Sequence, residues 1–422
     1  MRRITDWHVH SRFSRACSKD LTLENNALWC TKKGVNVLGT ADFTHPEWFA
    51  EIESKLVEAE PGLYKLKSGE HPTVRYMLTT EVSQIYKKDD RTRRIHNLIL
   101  APSIETVRKI NVWLTDKGFN LKADGRPILG IDSEELYKRL KEIDERVVMI
   151  PAHAWTPWFS VFGSKSGFDS LDACYGSMTE HIFAIETGLS SDILMNRSLS
   201  SLDHVSIISN SDAHSPQNFG REANVFELSD EEFSFDGFMK VLKERDRKKF
   251  LYTIEFFPEE GKYHIDGHAD CNVTLHPEET RRRGGLCPKC GRPLTVGVLS
   301  RVDQLSDRKD LRAVPEKFVP QRSIVPLPEI IAATLRVKST HSKKVSALYE
   351  KVLQDLGNEF YILIDAPLPD IKTAGGSELA EAIRRVRAGE LSITPGYDGI
   401  YGKVQIFGDN EVLKTTKQST LL

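Results

Sequence analysis

The 422-residue chain predicts an α/β fold in which a parallel sheet closes into a barrel and two smaller units follow it. Three observations carry this. Between residue 1 and about 255, short β-type runs alternate with helical stretches, as in VNVLGTAD, RYMLTTEVS, HNLILAP, RVVMIPAH, HIFAIET and HVSIISNSDAH, and a repeated strand-then-helix order implies parallel pairing. The runs end in polar side chains able to bind metal or substrate, at Asp42, Glu81, His153, Glu186, Asp212 and His214; in a closed barrel such ends meet on one face. About seven runs, with no GxGxxG after the first, favour a barrel over an open doubly wound sheet.

Beyond residue 255 the pattern changes. FFPEEGKYHIDGHADCNVTLHPEETRRRGGLCPKCGRPLTVGV is turn-rich and bears Cys, His and basic residues. Over 262–322 twelve Lys or Arg stand against eight Asp or Glu, a local excess of +4. From 323 onward, helical segments such as PLPEIIAATL and SELAEAIRRVRAG precede a β-rich tail, ELSITPGYDGIYGKVQIF. The chain therefore divides into a barrel over 1–255, a zinc-binding basic module over 256–322 and a C-terminal mixed α/β domain over 323–422.

Composition narrows the function. With 40% hydrophobic and 28% charged residues the chain is too apolar to be disordered. The longest apolar stretches, such as VVMIPAHAW, are far shorter than the roughly 20 residues that span a bilayer, so no membrane is expected. The N-terminus MRRITDWHVHSRFS lacks the uninterrupted apolar run of a secretory signal, which predicts a cytoplasmic, nucleoid-associated protein with reduced thiols. The net charge of −2 excludes bulk cationic binding of nucleic acid and leaves a local basic patch as the route to it.

His8 and His10 sit two apart on an extended segment, so both rings point to one face and can grip one cation. Further ligands stand at strand ends: Asp42, Glu81, His96, His153, Asp212 and His214. A mixed histidine and carboxylate set suits Zn²⁺, Mn²⁺ or Fe²⁺ better than Ca²⁺, and this set is too large for one ion. No GxSxG elbow or Cys/His pair competes for the chemistry, so the nucleophile is expected to be metal-bound hydroxide.

In order and context these residues resemble the PHP (polymerase and histidinol phosphatase) family of metal-dependent phosphoesterases: DWHVHSRFS, GTADFTHP, Glu81, HNLILA, PAHAW and SNSDAH. The resemblance covers roughly the first half to three-fifths of the chain and implies a distorted seven-stranded barrel holding two to three divalent metals (Zn, Mn or Mg). It implies one ion held by His8, His10, Glu81 and Asp212, a second bridged by Glu81 to His96 and His153, and a third at His214. Many members carry Asp followed immediately by His, whereas this chain has Asp42-Phe43-Thr44-His45, so the third site takes Asp42, His45 or both.

Cys287-Pro-Lys-Cys290 is a CxxC knuckle offering two corners of a zinc tetrahedron. Cys271, sixteen positions upstream, supplies a third ligand, and His268, three before it, is preferred over His264 and His276 as the fourth because its spacing mirrors the knuckle. One structural zinc is expected. Such modules commonly present basic side chains to nucleic acid, here Arg281, Arg282, Arg283, Lys289, Arg292 and Arg301, of which Arg282 and Arg292 are the substrate-contact candidates.

Longer strings sharpen the resemblance. GTADFTHPEW, PAHAWTPWFSVFGSKSGFDSL, SNSDAHSPQNFGREAN, CPKCGRPLTVGVLSRVDQLSDR and ITPGYDGIYGKV together resemble a DNA-repair branch of the PHP enzymes, the endonuclease Q family, over nearly the whole chain. This implies a metal-dependent endodeoxyribonuclease that incises DNA 5′ of deaminated bases (uracil, hypoxanthine, xanthine) and of abasic sites. An enzyme that inspects a base takes it out of the stack into a pocket with aromatic walls. Trp155 and Trp158 can supply stacking, Ser164, Lys165 and Ser166 polar contacts, and Arg221 a phosphate contact. The competing enzyme reading is a phosphomonoesterase acting on a small ester such as histidinol phosphate, which leaves the zinc module and tail without a purpose. A barrel that only binds DNA has no reason to keep so many charged ligands. The terminal KTTKQSTLL is a candidate docking peptide for a replication or repair clamp.

Overall fold

A computed structural model describes residues 1–308 and 318–408. The candidate clamp peptide therefore lies outside the described residues. Two compact units divide the chain: the first comprises Met1–Thr31, Val35–Ser323 and Pro395–Gly402, the second Lys32–Gly34, Ile324–Thr394 and the stretch from Lys403. No helix among the described residues is long and apolar enough to cross a membrane.

In the first unit the elements run β1 (Arg2–Asp6), α1 (Leu23–Lys33), β2 (Val37–Gly39), α2 (Pro46–Lys55), β3 (Leu56–Glu60), β4 (Leu63–Leu66), β5 (Arg75–Lys88), β6 (Arg91–Ala101), α3 (Ile104–Asp116), β7 (Ile128–Leu129), α4 (Ser133–Ile143) and β8 (Val148–Pro151). There follow α5 (Leu171–Tyr175), β9 (Ala184–Glu186), α6 (Ile193–Arg197), β10 (Ser206–Ile208), β11 (Ala223–Glu227), α7 (Phe235–Glu244) and β12 (Phe250–Glu255). The mixed α/β class expected from the alternation is present. Pairing departs from the all-parallel expectation, however. Strands β1, β2 and β5 are parallel, but β5 and β6 form an antiparallel hairpin, β6 pairs antiparallel with β8, and β1 pairs antiparallel with β11. The cause is local: Asp89 and Asp90, the two residues between β5 and β6, adopt φ of 53° and 55°, the left-handed pair that a two-residue hairpin turn requires.

β9 and β10 pair only with each other as strands, and polar side chains stitch them in. Asn210 Oδ1 accepts from Trp7 N at 2.9 Å, Asp6 Oδ1 from Ser211 N at 3.0 Å and Asn224 Oδ1 from Ser209 N at 2.9 Å. This brings the ends of β1, β10 and β11 together, and Ala154 N, donating to Glu186 O at 2.9 Å, ties the end of β8 to β9. Beneath them lies a core of Trp7, Met77, Leu98, Ile150, Ile208 and Phe226 against α7. That helix shows why: Phe235, Phe238, Met239 and Leu242 recur at helical spacing and are buried, and Ser234 caps the start by accepting from Gly237 N at 3.0 Å, a bond that contributes about 1 kcal/mol.

After β12 come β13 (Asp266–His268), β14 (Val273–Leu275), α8 (Pro277–Arg282), α9 (Val298–Leu305) and β15 (Gln321–Ser323), the last pairing with β12. The second unit contains α10 (Leu327–Thr334), α11 (Lys343–Leu356), α12 (Leu368–Gly375), α13 (Ser377–Ala388) and a hairpin of β16 (Ser392–Thr394) with β17 (Lys403–Gln405). The helices expected from PLPEIIAATL and SELAEAIRRVRAG are α10 and α13; the tail's β content is confined to two three-residue strands.

Candidate metal centre

His8 and His10 follow β1 on an extended segment that bridges Val9 to Ala213 beyond β10, so both rings face the same interior space. Glu81 lies within β5 and His96 within β6. Ser83 pairs with His96 across the hairpin, and alternation puts Glu81, two residues from Ser83, on that same face. His153, Asp42 and Asp212 follow β8, β2 and β10 and have φ of 30°, 43° and 47°. Left-handed backbone at non-glycine residues costs energy, and here it falls at three candidate ligands that follow strand ends.

Three ligand groups result: His8, His10 and Glu81; His10, Asp212 and His214; and Glu81, His96 and His153, each with donor atoms within 4.8 Å of one another. Glu81 Oε1 is 2.6 Å from His96 Nδ1, 3.1 Å from His153 Nε2 and 3.6 Å from His8 Nε2. His10 Nε2 is 2.9 Å from Asp212 Oδ1 and 3.6 Å from Glu81 Oε2. Glu81 links the first group to the third and His10 links the first to the second, as a multinuclear site requires. The residues suit divalent ions: His8 Nε2, His10 Nδ1 and Asp42 Oδ1 are buried without a hydrogen-bond partner, and buried donor atoms that cannot satisfy one another suit coordination.

Electrostatics agree. Burial disfavours charge on His8, yet Glu186 and Glu81 raise its pKa well above the usual value. Burial likewise opposes a charged His10, but the hydrogen bond to Asp212 and the nearby Asp42 carboxylate raise it to about 9. The Glu81 carboxyl, despite burial, is held well below its ordinary range by His96, Arg126 and His8. At His96 burial wins and pushes the pKa down to about 4. A set of interlocked carboxylates and imidazoles of this kind is one in which cations replace protons.

Asp42 and His45 belong to none of the three groups. Asp42 Oδ2 accepts from Ser11 N and Oγ and from Ser14 Oγ at 2.6–2.8 Å, while Oδ1 is 3.5 Å from His10 Nδ1. The His45 ring instead stacks on Phe13 at 4.2 Å. Glu186 accepts from His8 Nδ1 at 2.9 Å and from His153 N at 3.0 Å, which directs His8 Nε2 toward Glu81.

Sequence reasoning missed Arg126, whose guanidinium donates to Glu81 Oε2 at 3.0 Å, and the serines 11 and 14. Arg126 sits in a polar ADGRP loop that carries no periodic signal. Its neighbour Gly125 is required by close approach, because a Cβ there would stand 2.3 Å from Asp42 Oδ2.

The loop after β8 corrects several expectations. Trp155 was expected to stack on a base, but it is 1% exposed, with Nε1 donating to Asn196 Oδ1 at 2.8 Å and its ring 4.8 Å from Phe162. Ser166 is buried and bonds Arg94 O at 3.3 Å, so it shapes the loop. Trp158, 38% exposed, and the exposed Ser164 and Lys165 remain accessible. Arg221 donates to the carbonyls of Ser211 and Asp212 at 2.9 and 3.3 Å and so braces the SNSDAH turn. Arg301, expected to face nucleic acid, is 7% exposed and bonded internally.

His268, Cys271, Cys287 and Cys290 form a fourth group, with donor atoms within 4.8 Å of one another, that can hold a zinc. β13 delivers His268 and the following turn Cys271; Gly291, at φ 73°, closes the knuckle by donating to Cys287 O at 2.8 Å. The Arg292 backbone amide holds the Cys290 thiol down at about 6. Among the described residues Val273, Leu275, Leu294 and Cys287 form a small core beside these ligands, so a bound metal would add stability to the module. Arg282 and Arg292 are exposed, and both pair with carboxylates, Glu278 and Asp270.

Comparison with known proteins places these features. The family model MJ0043 C-terminal domain matches residues 326–390. An uncharacterized protein of Methanocaldococcus jannaschii, MJ0043, is 34% identical over 254 residues; this chain spans only 31% of its length. The uncharacterized YqxK of Bacillus subtilis is 27% identical over 398 residues, 92% of this chain and 93% of that protein. Among solved structures, the lesion-specific endonuclease PfuEndoQ of Pyrococcus furiosus superposes with a TM-score of 0.84 at 31% identity, covering 96% of this chain and 95% of that one. An endonuclease Q in complex with a 27-mer duplex bearing an abasic lesion at the active site gives 0.84 at 30% identity over the whole of both chains. Identity at this level, sustained end to end with the architecture preserved, makes the chain a member of the endonuclease Q family.

Proposed function

We propose that this protein is a DNA-repair endonuclease that hydrolyses the phosphodiester 5′ of deaminated bases (uracil, hypoxanthine, xanthine) and of abasic sites. The observation that carries the reading is the end-to-end likeness to an endonuclease Q bound to a duplex with an abasic lesion at its active site, supported by three linked ligand groups in the first unit. Two to three divalent ions, Zn, Mn or Mg, would be held by His8, His10, Glu81, His96, His153, Asp212 and His214, with Asp42 beside them. Such ions acidify a water and neutralise the charge that builds on a phosphate during hydrolysis.

The chain's own residues do the rest. Glu186 holds the His8 ring in orientation, Arg126 keeps Glu81 ionised, and Arg221 braces the turn that presents Asp212. Trp158 offers an accessible face for a displaced base, and Ser164 and Lys165 offer polar contacts beside it. In this reading the barrel over 1–255 performs the chemistry, and the zinc module over 256–322, through Arg282 and Arg292, together with the domain over 323–422, grips the DNA. The test is a denaturing-gel assay on an end-labelled duplex with a single deoxyuridine or abasic site, beside an undamaged control, with Mg²⁺, Mn²⁺ and Zn²⁺ in turn. A single cut immediately 5′ of the lesion is expected; no cut with any ion, or equal cutting of the control, overturns the proposal.

A further inference from the structure

The loop from Trp158 to Asp169 is gripped from two sides. On one side is β6. His96 N donates to Phe159 O at 3.1 Å, with the two rings 4.7 Å apart, and Arg93 binds the Gly167 carbonyl while its guanidinium lies 4.0 Å over the Phe168 ring. On the other side is a single side chain of α9. Arg301 Nε donates to Phe162 O at 2.9 Å, and one terminal nitrogen donates to Phe168 O at 3.0 Å and to Asp169 Oδ1 at 2.6 Å. The other terminal nitrogen bonds Gln304 Oε1 at 2.9 Å. A planar fork with five donors can serve these divergent acceptors at once; an ammonium on a flexible stem cannot.

α9 is in turn tied to the zinc ligands. Asp266 lies in β13 two residues before His268; its Oδ1 accepts from Gly297 N at 2.6 Å and its Oδ2 from Ser300 Oγ at 2.5 Å, which fixes the first turn of α9. Gly267 and Thr295 exchange backbone bonds at 3.1 and 2.9 Å beside it. Gly297 has no room for a side chain, since a Cβ there would stand 2.5 Å from the Ile265 carbonyl carbon. Hydrogen bonds therefore run without a break from the His268 strand through Asp266 and α9 to Arg301, and from Arg301 into the loop.

We propose that Arg301 is a positioning residue: it transmits the order of the zinc module to the 158–169 loop and so sets how tightly a lesion is held, without itself touching DNA. This rests on the reading of that loop as lesion-contacting. The experiment compares Arg301→Lys, Asp266→Asn and the double variant with the wild-type full chain. Steady-state cleavage of the single-deoxyuridine duplex is measured, with hydrogen exchange of loop peptides followed by mass spectrometry. Arg301→Lys should raise KM about tenfold, equivalent to about 1.4 kcal/mol, with kcat within about twofold and zinc content unchanged. Exchange of the loop amides should be at least about tenfold faster. Asp266→Asn should do the same, and the double variant should be no worse than either single within about twofold, because both break one chain of contacts. Unchanged KM, a loss confined to kcat, or additive effects overturn the proposal. If the wild type fails to cut, the function reading fails instead; loop exchange then decides the positioning role alone, and equal exchange in Arg301→Lys and wild type overturns it.

Discussion

At the scale of single residues, ligands and the groups that orient them should separate in measurement. Asp212 approaches both His8 and His10, so Asp212→Asn should lower nicking by about 100-fold or more while lesion-duplex affinity stays within about threefold. Among the described residues Glu186 bonds to the cluster through His8 Nδ1 and the His153 amide. Glu186→Gln should therefore weaken metal affinity by about 10- to 100-fold, read as a shift in the activating ion concentration, with activity recovered at saturating metal. A different pair bears on stability. Burial, with Glu255 nearby, raises the Glu222 pKa well above its ordinary value, and burial does the same to Glu255. The folded state then holds protons that the unfolded state has released, so the stability these two groups contribute is fully present below about pH 4.5 and is lost as pH rises toward the folded values. Glu222→Gln should flatten that decline, as read from Tm between pH 5 and 8.

At the scale of elements, the zinc module has too small a core to order itself. The cluster around its zinc ligands has only four buried members among the described residues, Val273, Leu275, Leu294 and Cys287, so the four ligands are a main source of its stability. Cys287→Ala should lose one zinc per chain by metal analysis and make the 256–300 stretch susceptible to limited proteolysis, while the barrel retains its own ions. Retained zinc in that variant would exclude the assigned ligand set. The β5–β6 hairpin shows the opposite case, an element specified locally. Two aspartates in left-handed backbone reverse the chain, and their turn converts a run expected to be parallel into an antiparallel neighbour that sets His96 opposite Ser83 and beside Glu81.

At the scale of the whole molecule, a net charge of −2 means that in the proposed function DNA is held by local contacts. Arg282 and Arg292 are exposed and paired with carboxylates across the surface, and exposed pairs are weak enough to exchange their partners for phosphates. The log of the duplex affinity should fall linearly with the log of salt concentration, and Arg282→Ala combined with Arg292→Ala should reduce the slope by about 2. An unchanged slope in the double variant would remove both residues from the DNA-binding surface.

The mixed α/β class, the ligand types and the CxxC knuckle were legible in sequence because each depends on local order: hydrophobic period, strand-end position and short spacing. His8, His10, Glu81, His96, His153, Asp212 and His214 could be named as candidates one by one. Their grouping came from the family resemblance and not from spacing, since it depends on three left-handed residues and on asparagine and aspartate bonds that stitch β10 to β1 and β11; the structure sets Asp212 with His10 and His214. Nor could sequence show that Trp155 is walled in, that Arg126 answers Glu81, or that Arg301 points inward. Residue type decides what a side chain can do. Which atoms it meets is decided by contacts between segments some 40 to 140 residues apart, whose burial and partners exist only once the chain has closed on itself.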